Sequence, residues 1–135
     1  MESFFGQLGL GLLFGLGALG SALGIGAAGR AAAGAWAKEA KAGQRLRFTY
    51  VVLLGMPLSQ TIYAFILMLV GLSGKVYSPE LLAANAGALL SIGIGGGLAE
   101  MFSAWMQGLI GASACRALSE GEGKGFAFMI IAMGI

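Results

Sequence analysis

The polar residues of this chain that could do chemistry are few, and they gather inside apolar segments. Gly55-Met56-Pro57-Leu58-Ser59-Gln60-Thr61-Ile62-Tyr63 lies between Tyr50–Leu54 and Ala64–Val70, near the middle of an apolar run. A proline, a hydroxyl, an amide and a phenol at bilayer depth are costly unless they meet partners. Pro57 removes a backbone donor and crowds the carbonyl of Leu53, so we expect a bend and oxygen density beside Ser59 and Gln60. A second amide, Gln107, and a carboxylate, Glu100, lie seven residues apart in a later segment, close to one helix face. Two glutamines, a hydroxyl and a carbonyl offer the oxygen ligands a hard monovalent cation needs, with one carboxylate to neutralise it. A proton carrier needs only the acid, so paired glutamines favour sodium over protons. We expect an intramembrane cation site.

The elements that must position such a site are membrane helices. The chain is 135 residues long, 58% hydrophobic and 10% charged, with 25 glycines and no histidine, which excludes an ordinary soluble domain. Apolar runs long enough to span a bilayer occur at about 4–38, 48–72 and 81–118, and a fourth begins at Phe126. Cys115 is the single cysteine, so no internal disulfide forms, and with no histidine a soft-metal site is not expected. Nothing points to a nucleic-acid partner. Gly121-Glu122-Gly123-Lys124 lacks the spacing of a phosphate-binding loop, so no catalytic site for ATP is expected.

Charge sets the topology. Lys38, Lys41, Arg45 and Arg47 crowd the first loop, Arg116 and Lys124 bracket the third, and the second holds only Lys75. The positive-inside rule puts loops 37–47 and 118–125 in the cytoplasm and the N-terminus outside. Met1-Glu2-Ser3 lacks the basic start of a secretory signal, so the first segment reads as a retained helix. The loop from Ala37 to Arg47 reads either as a dock for a soluble partner or as a solvated turn.

Small residues pattern the first segment. Gly11, Gly15, Ala18, Ala22, Gly26, Gly29 and Ala33 recur at spacings of three and four, which lines them on one helix face for close packing. A shift of 82 residues lays Gly11, Gly15, Ala22, Gly26 and Gly29 on Gly93, Gly97, Ala104, Gly108 and Gly111. The same shift matches Leu8, Leu16, Ser21 and Ala32 to Leu90, Leu98, Ser103 and Ala114. Two duplicated hairpins follow, 1–74 and 75–135, giving an all-α membrane protein of four helices. Ala18 becomes Glu100 and Ile25 becomes Gln107, so the repeat departs from itself at polar residues. The fourth helix has only ten residues, from Phe126 to Ile135, and we expect it to continue beyond them.

With these residues in view, the chain resembles the proteolipid (K or c) subunit of bacterial vacuolar-type rotary ATPases, most closely the sodium-translocating kind. The resemblance rests on Met56-Pro57-Leu58-Ser59-Gln60 with Tyr63, on Ala104-Trp105-Met106-Gln107-Gly108, and on the glycine-rich duplicated hairpin. It implies a homo-oligomeric ring in the bacterial plasma membrane that turns against a stator membrane subunit and bears central-stalk subunits. It also implies Na+ (alternatively H+) held by Gln60, Gln107, Ser59 and the Met56 backbone carbonyl, with Tyr63 locking a carboxylate closed. That carboxylate would fall two or three residues past Ile135, and Glu100 would be at most an auxiliary acid. ATP hydrolysis would belong to partner subunits.

Two other readings fit the residues alone. One is a structural or channel-like oligomer packed on its glycines, and the other is a small antiporter using Glu100 as its coupling acid.

Overall fold

A computed structural model describes residues 1–71, 78–121 and 123–134. The described residues form helices joined by turns and an irregular stretch at 44–47, without strands. The helices are α1 (Glu2–Lys41), α2 (Thr49–Gly55), α3 (Leu58–Ile66), α4 (Pro79–Ala84), α5 (Ala86–Glu120) and α6 (Phe126–Gly134), with a π-helical turn at Leu67–Gly71 after α3. Two of them, α1 and α5, are long and apolar enough to cross a membrane, and α2 with α3 makes a third span if the bent pair is counted as one.

The bend comes where Pro57 requires it. The helix breaks at Met56 and Pro57, and its two arms diverge by 43°. Proline cannot donate to Leu53, and the Leu53 carbonyl instead lies close to α5, where a Cβ at Gly111 would sit 2.9 Å from its oxygen.

Three boundaries differ from the sequence reading. Helix α1 runs on through Ala37–Lys41, which the charge pattern assigns to a loop. It ends at Gly43, whose positive φ of 65° suits a residue without a Cβ. Bonds from Gly43 N to Ala40 O and from Gln44 N to Glu39 O close the last turn in a Schellman motif. The third segment begins earlier, at Pro79, where the Ser78 hydroxyl accepts from Leu81 N and proline fills the first turn. It is then interrupted at Asn85, whose side-chain amide bonds the Leu81 carbonyl at 2.9 Å. The expected outer turn at 73–80 falls mostly outside the described residues.

The chain forms two compact units: Met1–Gly20 with Ser59–Ser103, and Ser21–Leu58 with Ala104–Ile135. In the first, Leu13, Ala64, Leu82 and Leu89 form the buried core, with Leu10 and Met68 against it. In the second, Tyr50, Leu53, Cys115, Leu118 and Met133 pack with the small residues Ala32, Ala35 and Ala114. Glycines bring α1 and α5 together within each unit. In the first, Gly9 meets Gly93 and Gly20 meets Met101; in the second, Gly24 meets Ala104 and Gly108. These partners rise together along both helices, so α1 and α5 run parallel within each unit, offset by close to the repeat length.

Of the expected packing stripe, Gly93, Gly97, Gly108 and Gly111 lie against α1 or its neighbours. A Cβ at Gly11, Gly15 or Gly29 would meet nothing among the described residues, and one at Gly26 would meet only the Arg30 side chain. Helix α1 therefore uses Gly9, Gly20 and Gly24 inside the chain and leaves its more regular stripe open.

Large apolar side chains stay uncovered on both long helices, including Leu19, Leu23, Phe102 and Met106. So broad an uncovered apolar surface requires lipid or other protein.

Candidate ion site in the membrane spans

Gln60 is held in the first unit with 7% of its surface exposed. Its Oε1 accepts from Ser59 Oγ at 2.9 Å, and its Nε2 donates to Ser103 Oγ at 3.2 Å. Room for this turn of α3 comes from α1, where Gly17 has no side chain: a Cβ there would meet Ala64 at 2.9 Å and the Gln60 carbonyl at 3.5 Å. Thr61 Oγ1 donates to the Gly17 carbonyl at 3.3 Å and fixes the same approach. Glu100, half-buried, stands across Gly17 on α5, its Cβ 3.6 Å from where a Gly17 Cβ would be. Tyr63 is 58% exposed, three residues on from Gln60.

Met56 and Gln107 belong to the second unit. Met56 is partly buried against its core, one residue before the proline. Gln107 is 8% exposed; its Nε2 donates to the Met133 carbonyl of α6 at 2.6 Å, while its Oε1 is buried without a hydrogen-bond partner among the described residues. A buried amide oxygen left unpaired costs about 1–3 kcal/mol. That cost marks Gln107 Oε1 as an acceptor able to take a cation or a proton donor. Gln60, Ser59 and Tyr63 thus share one unit, and Met56 and Gln107 the other.

The proline turn is fixed from α1 as well. Ser21, 3% exposed, donates its hydroxyl to the Pro57 carbonyl. Sequence reasoning did not assign roles to Ser21 or Ser103. The signal was present: they are one of the identical pairs at a shift of 82, and both are hydroxyls in otherwise apolar helices. In the structure one holds the proline turn and the other holds Gln60.

A second polar cluster lies at the basic end of the second unit. Glu39 is 2% exposed; its Oε1 accepts from Tyr50 Oη at 2.7 Å and pairs with Arg47 Nε at 3.3 Å, and its Oε2 accepts from Arg47 N at 3.1 Å. Arg47 Nη1 also donates to the Leu118 carbonyl at 2.9 Å, and Trp36 Nε1 donates to the Arg47 carbonyl at 2.8 Å. The segment expected as a docking loop or a solvated turn is tied by Arg47 to the ends of α1 and α5. Glu39 and Arg47 were legible only as loop charges, because their partners Tyr50 and Leu118 come from other helices.

No metal-binding group of three or more histidine, cysteine or acidic residues occurs among the described residues. The polar groups the spans do hold are amide, hydroxyl and carbonyl oxygens, with the Glu100 carboxylate on α5.

Residues 8–70 match the family model of the ATP synthase C-subunit. No curated protein and no solved structure matches the chain. The part similar to the ATP synthase C-subunit takes in nearly all of α1, then α2, the proline break and α3, and so includes Met56, Ser59, Gln60 and Tyr63. Gln107 and Glu100 lie outside it, on the helix that repeats α1 at a shift of 82.

Proposed function

We propose that the chain is a non-catalytic, ion-carrying subunit of a membrane rotor ring in a rotary ATPase, of the vacuolar and sodium-translocating kind. The observation that carries the reading is the buried, unpartnered Oε1 of Gln107 in a chain whose residues 8–70 match the ATP synthase C-subunit family. In this reading Gln60 and Gln107 give amide oxygens to Na+, Ser59 gives its hydroxyl and Met56 its backbone carbonyl. Tyr63 hydrogen-bonds the carboxylate that closes the site, a fourth-helix glutamate that the resemblance to the vacuolar-type proteolipid subunit implies.

The proposed architecture is two hairpins, 1–74 and 75–135, closed into a homo-oligomeric ring with the N-terminus outside and the Arg47 and Lys124 loops in the cytoplasm. A stator subunit would open the site to release the ion, and central-stalk subunits would couple the ring to ATP. The open stripe of Gly11, Gly15, Gly26 and Gly29 suits close contact between copies.

The test is carbodiimide labelling of the protein in its native membrane, with and without sodium, read by mass spectrometry. Labelling at a glutamate in the fourth helix, slowed by sodium, is expected. Labelling confined to Glu100 would replace this reading with an antiporter, and labelling indifferent to sodium would replace Na+ with H+.

A further inference from the structure

A groove of about 490 Å³ runs between α1 and α5 in the second unit, and neither Gln60 nor Gln107 lines it. Its floor is made of small side chains, Ala31 and Gly34 among them, and its walls carry Arg30, Lys38 and Arg116, with Glu120 the only acid among the described residues. Three cations against one carboxylate leave the groove positive.

The two arginines sit at a particular depth. On α1 no charged residue stands between Glu2 and Arg30, and on α5 none stands between Glu100 and Arg116. Each arginine therefore marks the point where an uncharged run ends, the level at which a membrane helix meets lipid headgroups. Ala28 packs beside Gly111, and this register brings Arg116 about level with Ala33, between Arg30 and Lys38 along the groove. Lys38 is then near Glu120, at the outer end. Among the described residues, Arg30 and Arg116 are left without a carboxylate at their own level.

Arg30 also folds back toward the apolar part of its helix. Its Nη1 lies 3.6 Å from where a Gly26 Cβ would be, one turn deeper than its own Cα. Among the described residues the ion pair is Arg47 with Glu39, elsewhere in the unit. A guanidinium directed into an apolar region needs an anion, and its planar fork matches two phosphate oxygens.

From this juxtaposition we infer that the groove binds the phosphate of an anionic phospholipid, clamped by Arg30 and Arg116 with Lys38 at its mouth. The small floor leaves room for the headgroup, and the adjoining uncovered side chains Leu23 and Leu109 offer apolar surface to the acyl chains. A soluble anion would not use that surface. The inference requires only that α1 and α5 cross a membrane, so it stands or falls apart from the ion-carrying reading.

The experiment is native mass spectrometry of the full-length protein in its detergent-purified assembly, titrated with phosphatidylglycerol or phosphatidylcholine. Wild type should retain phosphatidylglycerol at least tenfold better than phosphatidylcholine. Arg30→Gln and Arg116→Gln should each lose most of that preference, and Arg45→Gln, outside the groove, should keep it. Ala31→Phe keeps every charge but fills the floor, and it should also lose the lipid, which separates occupancy of the groove from general charge. Equal retention of the two lipids, or equal loss in Arg45→Gln, overturns the inference. So does displacement by excess inorganic phosphate, which would mean a soluble anion. Absence of lipid from wild type would mean that another surface, such as a second copy, covers the groove, and would overturn it too.

Discussion

Gly24 of α1 and Gly108 of α5 meet backbone to backbone: a Cβ on Gly108 would fall inside the main chain of Gly24. Gly9 and Gly93 stand in the same relation in the other unit. Only residues without side chains permit this approach, and the bare Gly24 also makes room for Pro57, whose Cβ would lie 2.9 Å from a Gly24 Cβ.

Gly108→Leu and Gly26→Leu should therefore behave differently, although both positions belong to one sequence stripe. Leucine at 108 must push backbone away, which has no flexible neighbour to yield, and should cost about 3 kcal/mol or more of helix-pair stability. A Cβ at 26 meets only Arg30 among the described residues, so leucine there should leave the fold intact while blocking assembly of copies. Thermal unfolding in detergent, beside the assembly's mass, checks both. An intact assembly with Gly26→Leu would remove the open stripe from the ring contact.

Ser21→Ala removes the donor to the Pro57 carbonyl. Hydrogen bonds between membrane helices are worth about 0.6–2 kcal/mol, so the stability loss should be modest. The larger effect should appear in sodium affinity, because the turn carrying Met56, Ser59 and Gln60 loses its brace. Ser21→Thr keeps the hydroxyl and should restore affinity if the side chain fits.

Gln107→Ala should weaken sodium protection against carbodiimide by about tenfold, equivalent to roughly 1.4 kcal/mol. Assembly mass should not change. Gln60→Ala should act in the same direction and also release Ser103 from its bond. Unchanged sodium dependence in both variants would argue for a proton carrier.

Glu39→Ala should be among the most destabilising changes at the basic end. It leaves Tyr50 Oη without its acceptor and removes the partner of a partly buried Arg47. Breaking such a pair costs about 3–5 kcal/mol when both charges are buried, and the 28% exposure of the Arg47 side chain puts the expected loss near the lower figure. Cleavage between Lys41 and Phe48 by a protease should rise in parallel, since Arg47 ties that segment down.

The sequence by itself determined that the chain is helical and apolar enough for a membrane, because such composition and run length have few other solutions. It determined the bend at Pro57, a property of one residue's missing donor. The identities at a shift of 82 were also legible, because a constant shift needs no structure to be counted. Tertiary structure decided which glycines touch. Gly9, Gly20 and Gly24 lie off the most regular small-residue face, and only the parallel packing of α1 on α5 selects them. It likewise decided that Ser103 holds Gln60, that Ser21 holds the Pro57 carbonyl, and that Glu39 is buried rather than solvated. Each of these depends on a partner distant in the chain, and a hydrogen bond or an ion pair leaves no periodicity in the sequence of either partner.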